Sequence, residues 1–203
     1  MDSSFEQLKH PNPHIRERAM VEIINNRDDS TIPKLMAALD DDDTIYRRAA
    51  VKTLGAVGVD AVPAIVDALS NSDNVTVRGS CAKALAQVAL YYPEEPFPPL
   101  GLQGLKQSLL DENPVVNIAS AMALGEIGEA AFDILTETLG ATDNPALAIS
   151  IVNALASIGG DQSIEVLTQL AEDDATDTYV KQTAVSALSR MELVKQYTRP
   201  KDS

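Results

Sequence analysis

The sequence predicts an all-α protein, an α-solenoid of about six helix–turn–helix repeats. Three observations support this prediction: the apolar content is high but poor in aromatic residues, apolar residues recur at helical spacing, and an Asn or Asp precedes each second helix. Of the 203 residues, 45% are hydrophobic and 4% are aromatic, and there is no tryptophan. This composition excludes a disordered chain and is typical of closely packed helices.

Six copies of one helical pattern can be aligned on an aliphatic column, whose members are separated by 31, 31, 39, 31 and 33 residues. Further columns lie eight, four and three residues earlier, and these offsets place all four columns on one stripe of an α-helix. The column four residues earlier is small in five of the six copies. The aliphatic column contains Ile23, Leu54, Leu85, Leu124, Leu155 and Leu188, and the small column contains Ala19, Ala50, Cys81, Ser120, Ile151 and Ala184.

The ends of these helices are equally regular. An Asn or Asp stands eleven residues before each member of the aliphatic column, where its side chain is expected to accept a hydrogen bond as the helix N-cap. Gly58, Gly128 and Gly159 are expected to end three of the helices. The predicted caps are Asn12, Asp43, Asn74, Asn113, Asn144 and Asp177.

A shorter apolar segment precedes each of the last five capped helices and predicts the first helix of that repeat. One such helix pair cannot bury its own apolar face, so neighbouring repeats are expected to stack around a continuous core. We therefore expect a single domain over residues 1–203. An insertion at 91–99, rich in proline and aromatic residues, separates the third repeat from the fourth.

Charge and composition exclude several classes of function. Acidic residues outnumber basic ones 30 to 16, for a net charge of −14, which argues against nucleic-acid binding. No apolar run is expected to reach the roughly 18–20 residues of a membrane span. The first residues lack the pattern of a signal peptide. A single cysteine excludes an internal disulfide, and we expect a cytoplasmic location.

The segments 45–55 and 77–82 resemble the HEAT-like repeats of cyanobacterial phycobilisome lyases of the E and F types. The resemblance extends over essentially the whole chain and implies an α-solenoid fold. The members of this family include bilin lyase subunits, phycobilisome-degradation factors and a HEAT protein that binds an A-type iron–sulfur carrier. The motif is specific for the fold and weak for the function.

Positions six and two residues before the aliphatic column point away from the predicted core and are the candidates for partner binding. In the second and third repeats they include Arg48, Lys52 and Lys83, a basic patch in an acidic chain. In the fourth and fifth repeats they are largely apolar, and an exposed apolar patch marks a partner site. The alternative is that curvature of the solenoid buries them. These candidates are Ile118, Met122, Ile149 and Asn153.

The insertion contributes three further candidates, Tyr91, Tyr92 and Phe97. One interpretation is a stiff aromatic arm that contacts a partner, because insertions in repeat arrays often lie on the binding face. The other is a long connection whose aromatic residues cover an imperfect junction between repeats.

No catalytic or metal-ligating residue is predicted. Cys81 belongs to the small column and is expected to fill the core, where a thiol is a poor nucleophile and a poor ligand. The alternative is a role in binding a bilin or a cluster. His10 and His14 have no further ligands near them in the sequence. The acidic run at 40–43 lacks the spacing of an EF-hand loop.

The leading hypothesis is a non-enzymatic adaptor or stabiliser that binds a protein partner on the inner face of the solenoid. The resemblance suggests an iron–sulfur carrier or a phycobiliprotein as that partner. The alternative is one subunit of a heterodimeric phycobilin lyase, in which the basic patch binds the bilin propionates. We expect no cofactor on this chain alone, with a bilin or an iron–sulfur cluster reached only through a partner. Whether the chain is an enzyme stays open, with a lyase subunit as the enzymatic alternative.

Overall fold

A computed structural model describes residues 2–198, which form α-helices joined by short turns and contain no strand. The helices form six consecutive pairs, as the repeat pattern predicts. The first helices of the pairs are α1 (Asp2–Gln7), α3 (Thr31–Ala37), α5 (Val62–Asn71), α7 (Pro99–Ser108), α9 (Phe132–Ala141) and α11 (Gly160–Glu172). The second helices are α2 (Pro13–Asn25), α4 (Thr44–Val57), α6 (Val75–Tyr91), α8 (Pro114–Ile127), α10 (Pro145–Ile158) and α12 (Thr178–Thr198).

The chain divides into two compact units, of which the first ends at Ala123 and the second begins at Leu124. The boundary lies inside α8. Within each unit the helix pairs pack on their neighbours, so the predicted fold class, an all-α solenoid of HEAT-like repeats, is confirmed.

All six predicted N-caps are present. Each cap side chain accepts a hydrogen bond from the backbone N–H two residues further on, at 2.8 to 3.0 Å. One such cap stabilises a helix by about 1 kcal/mol. At the other end, Gly58, Gly128 and Gly159 have φ angles of 82°, 87° and 74°. Because L-residues rarely adopt this left-handed conformation, glycine suits the ends of α4, α8 and α10.

The small column lies in the core, where all six of its members are completely buried. Small residues are also needed one position after the aliphatic column, where the second helices pack closely. A Cβ atom at Gly55 of α4 would overlap Gln87 of α6, and in the second unit one at Gly125 would lie 2.9 Å from Ala154. This packing explains why the sequence is rich in alanine and poor in aromatic residues.

Three arginines of the first unit form hydrogen bonds to the turns that precede their helices. Arg16, Arg47 and Arg78 each donate from Nη1 to the backbone carbonyl six residues earlier, at 2.7, 2.6 and 2.8 Å. Arg78 also forms a bidentate ion pair with Asp111 in the turn before α8, with Nε–Oδ2 at 2.7 Å and Nη2–Oδ1 at 3.1 Å. The last two helix pairs of the first unit are therefore joined by charge as well as by apolar packing.

One stretch of the described residues, Thr44–Asn71, is long and apolar enough to cross a membrane by length and composition alone. The expectation that no apolar run reaches that length is therefore wrong. However, 72% of its most apolar window is buried inside the protein. The left-handed Gly58 also divides it into α4 and α5. Packing within the first unit accounts for its apolar character.

Candidate functional site

A groove of about 560 Å³ runs along the second helices of the first unit, between α4 and α6, with the first turn of α8 at its edge. Its volume falls in the range of about 300–1,000 Å³ that is typical of small-molecule sites. Its lining residues are Thr44, Arg47, Arg48, Val51, Lys52, Val75, Thr76, Ser80, Lys83, Gln87 and Val115.

The lining contains four cationic side chains and no carboxylate, although the whole chain carries a net charge of −14. The predicted basic patch of Arg48, Lys52 and Lys83 lies in this groove. All three residues are exposed. A cleft lined by charges of one sign concentrates the field and attracts ligands of the opposite sign.

The fourth cation, Arg47, has a structural role. Its Nη1 donates to the carbonyl oxygens of Asp41 and Asp42 at 2.6 and 3.1 Å, and its Nη2 donates to Thr44 Oγ1 at 3.1 Å. The sequence analysis does not place Arg47 among the binding candidates, which agrees with these contacts.

Local structure fixes the positions of the cations. Asp43 and Asn74 cap α4 and α6 and so set where each helix begins. Gly55 then permits the close approach of the two helices. Gly79, an outward position in the repeat pattern, is buried, and a Cβ atom there would lie 3.4 Å from Val115 Cγ1.

Val115 belongs to the groove but was missed by the sequence analysis. It is 55% exposed and follows Pro114 in the first turn of α8. The repeat pattern assigns faces from the middle of each helix, so it gives no direction for a residue this close to the cap. An apolar residue directly after an Asn-Pro cap is the signal that was available.

A smaller cavity of about 240 Å³ lies between α2 and α4. It shares Arg48 and Lys52 with the groove, and it also contains Glu17 and the largely apolar side chains of Met20 and Ile45. Arg48 and Lys52 therefore stand on a ridge between two cavities.

The two outward candidates on α8 differ in exposure. Met122 is 62% exposed, whereas Ile118 is half-buried. The outward direction predicted from the repeat therefore holds for Met122 and in part for Ile118.

In the second unit, Ile149 is half-buried and Asn153 is exposed. Asn153 donates to the carbonyl oxygen of Ile149 at 3.0 Å and accepts a hydrogen bond from Arg190 Nη2 at 3.0 Å. Asn153 also lines a cavity of about 590 Å³ with Arg190 and Val194. The amide is thus engaged within its own unit.

The insertion is helical at both of its ends, because Tyr91 closes α6 and Pro99 opens α7. Tyr92 donates its hydroxyl to the carbonyl oxygen of Ala56 at 2.7 Å and packs on Gly58. Phe97 packs on Gly101, where a Cβ atom would lie 2.7 Å from its ring. For these two residues, the contacts favour the interpretation that aromatic side chains cover a junction between repeats.

Tyr91 differs from Tyr92 and Phe97 because it is exposed. Its hydroxyl lies 3.7 Å from Met20 Sδ. Partial burial and the nearby carboxylate of Glu17 raise the pKa of the Tyr91 phenol above its ordinary value. Of the three aromatic residues of the insertion, Tyr91 is therefore the one most available to a partner.

Cys81 is completely buried in α6. Desolvation raises the pKa of its thiol to about 12, so the thiol is protonated and unreactive at neutral pH. Within residues 2–198, no group of three or more His, Cys, Asp and Glu side chains is arranged to hold a metal ion.

Comparison with known proteins first identifies the class of protein. Residues 2–86 and 102–189 match the family of HEAT repeats, so the fold and the match define a HEAT-repeat protein. Over 199 residues the chain is 55% identical to the phycocyanin operon protein Z of Pseudanabaena tenuis (strain PCC 7409), with 98% of each chain covered. It is 34% identical to the bilin biosynthesis protein CpeZ of Synechococcus sp. (strain WH8020), covering 85% of this chain and 95% of CpeZ. The chain therefore belongs to the family of HEAT-repeat proteins that includes the phycocyanin operon protein Z and CpeZ.

A solved structure agrees with this assignment at the level of the fold. The match is to the complex of CpcE and CpcF of phycocyanin lyase from Nostoc sp. PCC7120, with 20% identity and a TM-score of 0.50. It covers 75% of this chain and 96% of the matched chain. The resemblance to E/F-type repeats that the sequence suggested is confirmed.

Proposed function

We propose that the protein is a subunit of the bilin lyase type, which acts with a protein partner when a bilin is attached to a phycobiliprotein. The observation that carries this proposal is the naming of two relatives that align over nearly the whole chain. One is named for the phycocyanin operon and the other for bilin biosynthesis. This proposal places the alternative from the sequence ahead of the adaptor hypothesis.

The arrangement of side chains supports a subunit that binds and positions. The groove offers cations and an open surface, whereas the thiol of Cys81 is buried and protonated. A protonated, enclosed thiol is a poor carrier for a bilin. The proposed role of this chain is therefore to hold a bilin or a partner, while reactive groups come from the partner or the phycobiliprotein.

The adaptor hypothesis survives as a second candidate, with a phycobiliprotein as the bound partner. The exposed apolar side chains of Val115 and Met122 on α8 favour it, because apolar residues at a surface often contact a partner. The iron–sulfur carrier is not carried forward, since the relatives reported above are named for phycocyanin and bilin biosynthesis.

Co-expression tests the proposed function. A phycobiliprotein subunit, a bilin source and a candidate lyase partner are produced with and without this protein, and covalently bound bilin is measured by absorbance after denaturation. We expect more bilin per phycobiliprotein polypeptide when the protein is present. An equal bilin content in both preparations would show that the proposed function is wrong.

The same experiment without the bilin source separates the two candidates. An adaptor raises the soluble yield of the bilin-free phycobiliprotein. A lyase-type subunit leaves that yield unchanged and raises only the bilin content.

A further inference from the structure

We propose that the groove between α4 and α6 binds the two propionate carboxylates of an open-chain tetrapyrrole through Arg48, Lys52 and Lys83. This inference rests on the proposed function and assigns it a binding site. Four features of the groove support this assignment: the charge of its side chains, their lack of other partners, their spacing, and the apolar residues beside them.

The charge of the groove selects an anion. Four cations and no carboxylate line it, in a chain where acidic residues outnumber basic ones 30 to 16. A ligand with two carboxylates offsets half of this positive charge, and Arg and Lys form short, charge-assisted hydrogen bonds with such groups.

Three of the four cations are available. In the described part of the chain, Arg48, Lys52 and Lys83 have exposed side chains and take part in no hydrogen bond or ion pair. Arg47, in contrast, is held by the turn before α4. The ligand would therefore meet unpaired cations and would not have to break an existing contact.

The spacing suits two carboxylates on one molecule. Arg48 and Lys52 are four residues apart on α4, which places them one turn and about 6 Å apart along the helix axis. Lys83 faces them from α6, which packs closely against α4 at Gly55. A bilin carries its propionates on adjacent central rings, so both can reach this cluster at once.

An apolar floor completes the site. Val51 and Val75 are half-buried and Val115 is exposed in the same groove. Pyrrole rings lie favourably on such apolar side chains, while Thr76, Ser80 and Gln87 offer hydrogen bonds to ring N–H and lactam groups. A purely electrostatic site, such as one for an acidic protein segment, would not need this floor.

A binding titration tests the assignment. Biliverdin, which has two free propionates, and its dimethyl ester are titrated against the full-length protein by absorbance and circular dichroism. The variant combines Arg48→Gln, Lys52→Gln and Lys83→Gln, and the control is Arg18→Gln, an exposed arginine of α2 outside the groove. Thermal unfolding of each variant checks that it is folded.

We expect the triple variant to bind biliverdin at least about tenfold more weakly than the wild type, because charge-assisted hydrogen bonds are lost. The control should bind as the wild type does, and the ester should bind all three proteins with the same weakened affinity. Equal biliverdin binding by the wild type and the triple variant would overturn the proposal, as would ester binding as tight as that of the diacid.

Two further outcomes separate the site from the function. If the triple variant keeps its biliverdin affinity but no longer binds the phycobiliprotein, the groove belongs to a protein partner and the assignment is wrong. If bilin attachment in cells depends on the protein but is insensitive to the triple variant, the proposed function stands and the proposed site falls.

Discussion

Gly55 lies where α4 and α6 approach so closely that no side chain fits, because a Cβ atom there would overlap Gln87. Gly140 of α9 offers the matched control, since a Cβ atom there meets nothing within 4 Å and its φ angle is not positive. We expect Gly55→Ala to lower the free energy of unfolding by about 1–3 kcal/mol through overpacking. Gly140→Ala should raise it by roughly 0.5–1 kcal/mol, as alanine favours a helix.

Urea unfolding followed by circular dichroism measures both changes. Equal stability of Gly55→Ala and Gly140→Ala would contradict the close packing of the second helices.

Cys81 gives a second prediction at the scale of one residue. Burial raises the pKa of its thiol to about 12, so a thiol-specific reagent at pH 8 should fail to label the folded protein and should label the protein unfolded in guanidinium. Cys81→Ala should cost roughly 1 kcal/mol of stability, as for a small cavity, and leave bilin attachment unchanged. Rapid labelling of the folded protein, or loss of attachment in Cys81→Ala, would assign the thiol a chemical role.

At the scale of helices and turns, the ion pair between Arg78 and Asp111 gives a pH dependence. The two side chains are only 17% and 13% exposed. The hydrogen bonds from Arg78 hold the pKa of the Asp111 carboxyl below its ordinary value of 3.8. Because this folded-state pKa is lowered, the pair stabilises the fold above the unfolded-state pKa. Its contribution is lost as the pH falls through the folded-state pKa.

We therefore expect Asp111→Asn to lower the free energy of unfolding at pH 7 by about 1–3 kcal/mol. The difference from the wild type should shrink as the pH is lowered through 4 toward 2. Asp60→Asn is the control, because its ion pair with Arg27 is much more exposed and is worth less than about 1 kcal/mol. A pH-independent difference for Asp111→Asn would contradict the ion-pair explanation.

The sequence predicted these elements well where local chemistry determines them. The six caps and the small column depend on side chains within one helix, and each occupies the predicted place. The burial of Gly79 and the place of Val115 in the groove were missed because the side chain of Val115 lies over Gly79 from the neighbouring helix α8. The half-burial of Ile118 was missed as well, because ideal helix geometry predicts the direction of a side chain but not how far neighbouring helices bury it.

For the insertion, the sequence left two interpretations open. Composition located its aromatic residues but could not tell which would pack inward. That choice depends on Gly58 and Gly101, two glycines whose missing side chains make room for the rings of Tyr92 and Phe97. Such complementarity appears only when distant segments are brought together.

At the scale of the whole molecule, the uneven charge links the fold to the proposed function. The acidic residues give the chain a net charge of −14, and several of them stand in turns and caps, where they accept hydrogen bonds from backbone N–H groups. The first unit nevertheless leaves Arg48, Lys52 and Lys83 together in a groove without a carboxylate. The same repeat that requires Asp and Asn at helix starts thus leaves the outward positions of α4 and α6 for binding.

The most direct measurement is the amount of bilin covalently bound to a co-expressed phycobiliprotein, compared among the wild type, Arg18→Gln and the triple variant of Arg48→Gln, Lys52→Gln and Lys83→Gln. We predict that Arg18→Gln supports attachment as the wild type does. The triple variant, produced in equal amount and equally folded, should fall toward the level found without the protein. Wild-type attachment by the triple variant would contradict the central claim that this groove serves bilin attachment.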